Sequence, residues 1–168
     1  MTMSVRAVRG DLEFHHGTAT WCALADICLF VAPDVCSGCT HWHTNDGDGL
    51  NAIESRKLAG VLEQRLSDGT IDQWIGKKIA FAKSLPDEPC SNCSGTGVRT
   101  DAVAVRLGFD RRTIDDPSHP RFGQVGYCNG CRGHGVRRAL SAHYPLEDSK
   151  IVAELVSFLK ASDGFRIW

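Results

Sequence analysis

Two copies of the spacing C-x-x-C-x-G-x-G constrain this chain more than any other feature. The first copy begins at Cys90 and the second at Cys128. Two residues between cysteines let one tight turn direct both thiolates at a single ion, and two such turns supply the four ligands of a closed tetrahedral zinc site. Glycine has no Cβ, so it can take positive φ and bring backbone amides close to sulfur. We expect one Zn²⁺ ion, with a structural role. The expected ligands are Cys90, Cys93, Cys128 and Cys131.

The use of cysteine also points to metal rather than to disulfides. Six of the eight cysteines fall in C-x-x-C pairs, a spacing typical of metal ligands. No apolar run reaches the roughly 18 residues that a transmembrane helix needs. We therefore expect a cytoplasmic protein with no membrane partner, in a compartment that keeps thiols reduced. The rival interpretation is a set of reactive redox pairs, but no βαβ pattern surrounds either repeat.

The repeat resembles the cysteine-rich zinc-binding region of DnaJ-type (Hsp40) co-chaperones. The similarity covers about residues 88–136, with the copies Cys-Ser-Asn-Cys-Ser-Gly-Thr-Gly and Cys-Asn-Gly-Cys-Arg-Gly-His-Gly. That family has four such repeats and two zinc ions, whereas this chain has two repeats. The resemblance implies a zinc-binding module whose ligands are the same four cysteines.

Most of the chain is also similar to small phage or prophage proteins. The residues that carry this resemblance are an N-terminal helical part, one pair of the cysteine repeats, and the stretch Trp-His-Thr-Asn-Asp-Gly-Asp-Gly-Leu-Asn from Trp42 to Asn51. The resemblance implies no activity of its own, but by analogy a small protein of this kind in the host cytoplasm would bind and inhibit a host protein or protein complex. A host defence complex such as CRISPR is the example it suggests.

Hydrophobic periodicity predicts several helices. An apolar run from Thr18 should end before Pro33, because a proline disfavours helical backbone in the residue before it. Apolar residues at helical spacing follow from residue 50 to 66 and again from 71 to 85. A last helix should start near Leu146, with the C-terminal residues after it folding back on the core.

The expected fold class is α+β, a small helical core with a zinc-stapled pair of short β-hairpins. The hairpins would be joined by an irregular loop over residues 98–127. We expect a helical N-terminal part at 1–86, a DnaJ-like zinc-binding module at 87–137, and a C-terminal helix at 138–168 that packs on the N-terminal part to give one compact unit. Residues 1–13 show no clear period and predict a loose end or an edge strand.

A second metal site is an alternative interpretation of a short segment near residue 40. Its candidate ligands are Cys36, Cys39, His41 and His43. Four ligands so close in sequence would have to wrap one ion without help from the rest of the chain. The other interpretation is that both thiols are half-buried and both histidines make hydrogen bonds.

The segment from His41 to Asp48 has three interpretations. It can be a turn capped by aspartates and asparagines, an interaction hot spot centred on Trp42, or the ligand set of a metal-dependent hydrolase. The last is an enzyme alternative, although the main expectation is a non-catalytic protein.

The charge of the chain is unevenly distributed. Residues 98–143 carry eight arginines and four aspartates, a net charge of +4, whereas residues 1–97 carry a net charge of −4. Arginine suits phosphates and carboxylates, so this segment predicts an interaction surface, with solvated ion pairs as the alternative. The candidate residues are Arg106, Arg111, Arg112, Arg121, Arg132, Arg137 and Arg138. A protein partner is our first expectation and nucleic acid the second; nothing in the sequence sets the oligomeric state.

Overall fold

The computed structural model describes residues 2–139 and 142–168. It contains helices and small antiparallel sheets, which confirms the predicted α+β class. The helices are α1 (Thr18–Val31), α2 (Pro33–Cys36), α3 (Ala52–Ser67), α4 (Thr70–Ser84), α5 (Ala102–Arg106) and α6 (Lys150–Ala161). The strands are β1 (Thr2–Ala7), β2 (Glu13–Gly17), β3 (Asp87–Pro89), β4 (Val136–Arg138) and β5 (Phe165–Ile167), and a 3₁₀ turn spans Phe109–Arg111. Among the described helices, none has both the length and the apolar character that a membrane crossing requires.

The chain divides into two compact units. The core unit comprises residues up to Ala80 together with Tyr144–Trp168, and the cysteine unit comprises Phe81–His143. The core unit has a large apolar interior drawn from its helices and its sheet. In the described part of the cysteine unit, the buried cluster consists of the four cysteines of the two repeats.

Strand β1 is the centre of a three-stranded antiparallel sheet with the order β2-β1-β5. Val5 lies opposite Phe14 of β2 and Ile167 of β5, and all three side chains are buried. The expectation of a loose end or an edge strand is therefore wrong for β1. Its second edge is covered by a strand from the other end of the chain, which local sequence patterns do not reveal.

Helix α1 is apolar on most of its surface and lies inside the core unit. Its buried side chains include Trp21, Leu24 and Ile27. The helix ends at Val31, as the proline at position 33 predicts. The indole Nε1 of Trp21 donates a hydrogen bond to the carbonyl oxygen of Trp42 at 2.7 Å, which joins α1 to the loop before α3.

Helix α3 begins with a capping box. The Asn51 side chain accepts hydrogen bonds from the backbone N–H groups of Ile53 and Glu54, and the Glu54 carboxylate accepts one from the Asn51 N–H. These bonds satisfy N–H groups that have no partner within the helix. From this start, α3 packs extensively against α6, where Leu155 and Leu159 are buried.

Helix α6 begins at Lys150 and not near Leu146 as the sequence suggests. The Asp148 carboxylate accepts a hydrogen bond from the Lys150 N–H at 2.9 Å, which holds the preceding residues in a turn. Leu146 is nevertheless buried. An apolar residue just before a helix is therefore part of the core here without being helical.

The strands of the cysteine unit pair differently from the expected two hairpins. Strand β3 precedes the first repeat and β4 follows the second, and the two are antiparallel, with Pro89 opposite Val136. Each repeat is itself a series of tight turns, so the segments that flank the repeats form the ladder. The intervening residues 98–127 contain α5 and the 3₁₀ turn, and Thr113 forms an antiparallel bridge with Val125.

The carboxylate of Asp48 organises the loop between α2 and α3. It accepts hydrogen bonds from the N–H groups of Thr40 at 2.6 Å, His41 at 3.0 Å and Gly49 at 2.8 Å. Desolvation would raise the pKa of Asp48, but these N–H groups outweigh it and place the pKa below its ordinary value. The loop is therefore held most firmly when this carboxylate is ionised.

We predict that Asp48→Asn destabilises the protein at neutral pH but not in acid. A carboxyl whose native pKa is depressed contributes stability that is present above the unfolded-state pKa and is lost as pH falls through the native pKa. The amide keeps one acceptor oxygen without the charge, so the cost should be on the order of 1 kcal/mol at pH 7 and near zero at about pH 2. Urea denaturation followed by tryptophan fluorescence at both pH values measures the difference.

Asp11→Asn is the control, because Asp11 is exposed in the segment between β1 and β2. It should cost little at either pH. An equal cost for Asp48→Asn at both pH values would show that the charge of this carboxylate does not hold the loop.

Candidate metal centre

The two cysteine repeats fold into the same tight turn. In the first repeat, the Gly95 N–H donates a hydrogen bond to the Cys90 carbonyl oxygen at 3.2 Å. In the second repeat, the Gly133 N–H donates to the Cys128 carbonyl oxygen at 3.0 Å. The two repeats therefore present their sulfurs in similar local geometry, as their identical spacing predicts.

Each turn also directs a glycine amide at a sulfur. The Gly97 N–H lies 3.3 Å from Cys93 Sγ, and the Gly135 N–H lies 3.2 Å from Cys131 Sγ. Such bonds stabilise negative charge on a ligating sulfur. Gly135 has a φ of +80°, and a Cβ there would lie 2.3 Å from the carbonyl oxygen of Gly95. The close approach of the two repeats at this point requires glycine.

The four sulfurs meet in one buried cluster in which all lie within 4.8 Å of one another. Cys90 Sγ is 3.9 Å from Cys128 Sγ, and Cys93 Sγ is 3.8 Å from Cys131 Sγ. A zinc–sulfur bond of about 2.3 Å separates the sulfurs of a regular tetrahedron by about 3.8 Å. The four predicted ligands are thus brought together and can hold one metal ion.

These distances favour a shared ion over two separate redox pairs. Both short contacts join cysteines of different repeats, and all four cysteines are free thiols. A disulfide would need a sulfur–sulfur distance of about 2.05 Å. The four sulfurs are therefore arranged so that they could hold one metal ion together.

Burial makes ionisation of these thiols costly unless a cation is present. It raises the pKa of Cys131 to about 12 and holds the pKa of Cys128 above its usual value. At Cys93 burial acts in the same direction, but the Gly97 amide and the neighbouring thiols outweigh it and lower the pKa. Metal binding requires thiolates, so it would release protons from the site.

Two side chains of the loop after α5 support the second turn. His119 is 8% exposed, and its Nδ1 accepts a hydrogen bond from the Arg121 N–H at 3.0 Å. Its Nε2 therefore carries the proton and donates to the Arg132 carbonyl oxygen at 3.0 Å. Arg121 Nη1 donates to the Gly133 carbonyl oxygen at 3.2 Å. Sequence reasoning missed the role of His119, because no fixed spacing relates it to the cysteines.

Comparison with known proteins identifies no relative of the chain. No family model, no curated protein and no solved structure matches the chain. The chemistry of the centre follows from its donor set. Four sulfurs fill the tetrahedral positions around one ion and leave none open for a substrate.

The structure does not group the candidate ligands of the alternative second metal site near residue 40 around one point. These candidates were Cys36, Cys39, His41 and His43. Both thiols lie in the apolar interior of the core unit, where burial raises the pKa of each to about 12. Both imidazoles pair with carboxylates, His41 with Asp48 at 3.3 Å and His43 with Asp26 at 2.9 Å. In residues 2–139 and 142–168, the four-cysteine cluster is the one group of three or more potential ligands.

The segment from His41 to Asp48 serves instead as a structural turn. Asp46 accepts a hydrogen bond from the Thr44 hydroxyl, and Asp48 caps backbone N–H groups. Trp42 is 3% exposed, and its indole Nε1 donates to the Cys36 carbonyl oxygen at 3.1 Å. A hot spot centred on Trp42 is therefore wrong, because the side chain that would contact a partner is part of the core.

The arginines of the predicted interaction surface are largely exposed. Arg121 is half-buried beside the second repeat. The exposed members are Arg106, Arg111, Arg112, Arg132, Arg137 and Arg138. Arg112 lies over the Tyr127 ring, 4.5 Å from its centre, and Arg138 donates to the Ala82 carbonyl oxygen at 3.1 Å. Their guanidinium groups remain accessible to a ligand.

We predict that metal removal unfolds the cysteine unit and leaves the core unit folded. The ligands themselves are the buried cluster of the cysteine unit, whereas the core unit has its own apolar interior. Hydrogen–deuterium exchange before and after chelation should show lost protection in residues 87–139 and retained protection in α1 and α6. Protection should return when the metal is added back. Equal loss in α1 would contradict this separation.

We predict that Gly135→Ala weakens metal binding and that Gly108→Ala does not. Both glycines have positive φ, +80° and +73°, but nothing lies within 4 Å of a Cβ placed at Gly108. Each substitution carries a backbone cost of about 1–2 kcal/mol, and only Gly135→Ala adds the clash with Gly95. Competition with a chromogenic chelator should show an affinity loss of about tenfold or more for Gly135→Ala alone. Equal losses would mean that backbone strain, and not the approach of the two repeats, matters.

Proposed function

We propose that the chain is a non-catalytic zinc-binding protein that acts by binding another protein. The observation that carries the proposal is the closed set of four buried sulfurs with the dimensions of a tetrahedral site. A metal with four protein ligands has no position for a substrate or an activated water. Its role is then to stabilise the surface around it.

Zinc is the ion that suits this site best. Tetrahedral four-sulfur sites take zinc or iron, and two C-x-x-C turns that supply all four ligands are typical of structural zinc. The resemblance of the repeats to the DnaJ-type zinc-binding region supports the same ion. Structural zinc contributes on the order of 10 kcal/mol to folding, which is enough to order a unit with little apolar interior.

The surface of the cysteine unit supports a protein partner. Leu107, Phe122 and Val125 are each more than half exposed, at 59%, 56% and 61%. Exposed apolar side chains mark an interaction surface where they form a patch rimmed by polar residues, and these three lie in the arginine-rich segment of the chain. The phage resemblance suggests a host defence complex such as CRISPR, in the host cytoplasm, as the first partner to test.

We predict one zinc ion per chain and a partner whose binding depends on it. Elemental analysis of tagged protein purified from its host should find zinc in the wild type and none in the Cys90→Ser/Cys128→Ser variant. The matched control is Cys22→Ser, a half-buried thiol of α1, which should retain the zinc. A host protein should be recovered with the wild type and the control, and not with the double variant. Iron in place of zinc, or metal retained by the double variant, would overturn the zinc assignment.

Nucleic-acid binding is the second candidate function, and the arginines favour it. Of the eight arginines in residues 98–143, only Arg99 and Arg111 lie within 4.0 Å of a carboxylate in the described residues. Arginines without a carboxylate partner can contact phosphates.

A salt titration separates the two functions. Phosphate contacts release counterions, so the affinity for duplex DNA or RNA would fall by orders of magnitude between about 50 and 200 mM salt. We expect weak binding to either duplex and a protein complex that survives this change. Tight duplex binding with the steep salt dependence, and no protein recovered from the host, would replace the first function with the second.

A further inference from the structure

One face of the cysteine unit combines exposed aliphatic side chains with arginines. We call it the α5 face and define it by Val103, Arg106 and Leu107, with Arg111 of the 3₁₀ turn beside them. Val103 is 43% exposed and Leu107 is 59% exposed. The Arg111 side chain is 78% exposed. Two aliphatic side chains are therefore left in contact with water beside two arginines.

Local geometry places these residues together. Val103, Arg106 and Leu107 are at positions i, i+3 and i+4, which lie on one side of a helix. Ala104 is fully buried and faces the interior, whereas every other side chain from Val103 to Leu107 is exposed, including Val105 at 43%. Backbone hydrogen bonds from Gly108 to Val105 and from Arg111 to Gly108 continue the chain directly into the 3₁₀ turn.

The cysteine unit neutralises only part of the charge of this face. Arg106 has no ion pair among the described residues, and Arg111 lies 3.8 Å from the Asp110 carboxylate while remaining largely exposed. The nearest acidic residue in sequence at the other end of α5 is Asp101. It already accepts hydrogen bonds from the Val103 and Ala104 N–H groups and pairs with Arg99. The α5 face is therefore positively charged.

The combination favours an acidic protein over nucleic acid. A phosphate backbone would satisfy the arginines but would leave Val103 and Leu107 against charged, hydrated groups. Base stacking needs exposed aromatic rings, and the α5 face has aliphatic side chains instead. Carboxylates that flank an apolar side chain match both parts of the face at once.

We propose that the α5 face docks an acidic segment of a partner protein, with an apolar side chain of that segment placed between Val103 and Leu107. Arg106 and Arg111 then pair with carboxylates on either side of it. This inference rests on the proposed protein-binding function and names the surface and the chemistry of the partner. The metal enters only by keeping the cysteine unit folded.

Synthetic peptides test the chemistry of the partner. The probe is a twelve-residue peptide with two leucines one helical turn apart and glutamate at most other positions. One control replaces the leucines with serine, and the other replaces the glutamates with lysine. Titration into zinc-loaded, ¹⁵N-labelled full-length protein should shift backbone amide signals within residues 102–112 for the probe alone. Shifts of the same size with either control peptide, or shifts confined to other residues, would overturn the proposal.

Variants then test the face itself. Arg106→Glu and Leu107→Ser should each weaken probe binding by about tenfold or more, as the loss of a central interface residue does. The matched control is Arg9→Glu, the same charge change at an exposed position in the segment between β1 and β2. It should change the affinity less than about threefold. Zinc content and the amide spectrum outside α5 should stay unchanged in all three, which separates loss of binding from loss of folding.

Recovery of a host protein with the wild type and with the α5-face variants tests the protein-binding function and the α5 face separately. If a host protein is recovered with the wild type and equally with Arg106→Glu and Leu107→Ser, the protein-binding function stands and the α5 face is wrong. If a duplex of DNA or RNA shifts the same amides with a steep salt dependence and the acidic peptide does not, the occupant is nucleic acid and the proposal fails.

Discussion

Convergence of four buried thiols on one point is the constraint on which the cysteine unit depends. The interior of a small folded unit is usually a cluster of apolar side chains. In the described part of the cysteine unit, the buried cluster is formed instead by Cys90, Cys93, Cys128 and Cys131. Their contacts join residues 38 apart in sequence. They close the long segment between the repeats and set strands β3 and β4 side by side. The glycine amides donate hydrogen bonds to the sulfurs, and His119 and Arg121 support the second turn. These bonds hold the turns in the geometry that brings the four sulfurs together.

The core unit is stabilised in a different way. Its interior is apolar, with Trp21, Leu24 and Ile27 of α1 buried among the sheet and the other helices. Polar groups act there mainly at the ends of elements, as Asn51 and Asp48 do. The cysteines of this unit follow the same logic, since Cys28 and Cys36 are fully buried as small apolar side chains. One residue type therefore has two roles in one chain, and the surroundings of each cysteine determine which role it has.

The difference between the interiors of the two units is relevant to the proposed function. The buried cluster in the described residues of the cysteine unit consists of four cysteines, and aliphatic side chains such as Val103 and Leu107 remain at the surface of the unit. The same segment carries arginines that exceed its carboxylates. In the proposed function, the metal stabilises the backbone beneath this surface. The metal and the α5 face are thus parts of one proposal, in which the ion stabilises and the face recognises.

Sequence by itself determined the elements whose signals are local. The repeat spacing predicted the four ligands, and apolar periodicity predicted α1, α3 and α4, because ligand spacing and helix periodicity are properties of neighbouring residues. Only the tertiary structure decided that β1 is a central strand, that Cys36 and Cys39 are apolar core residues, that Trp42 is buried, and that His119 supports the second turn. Each of these depends on residues far away in sequence, and no local pattern records which distant segment will cover a strand, a thiol or an indole.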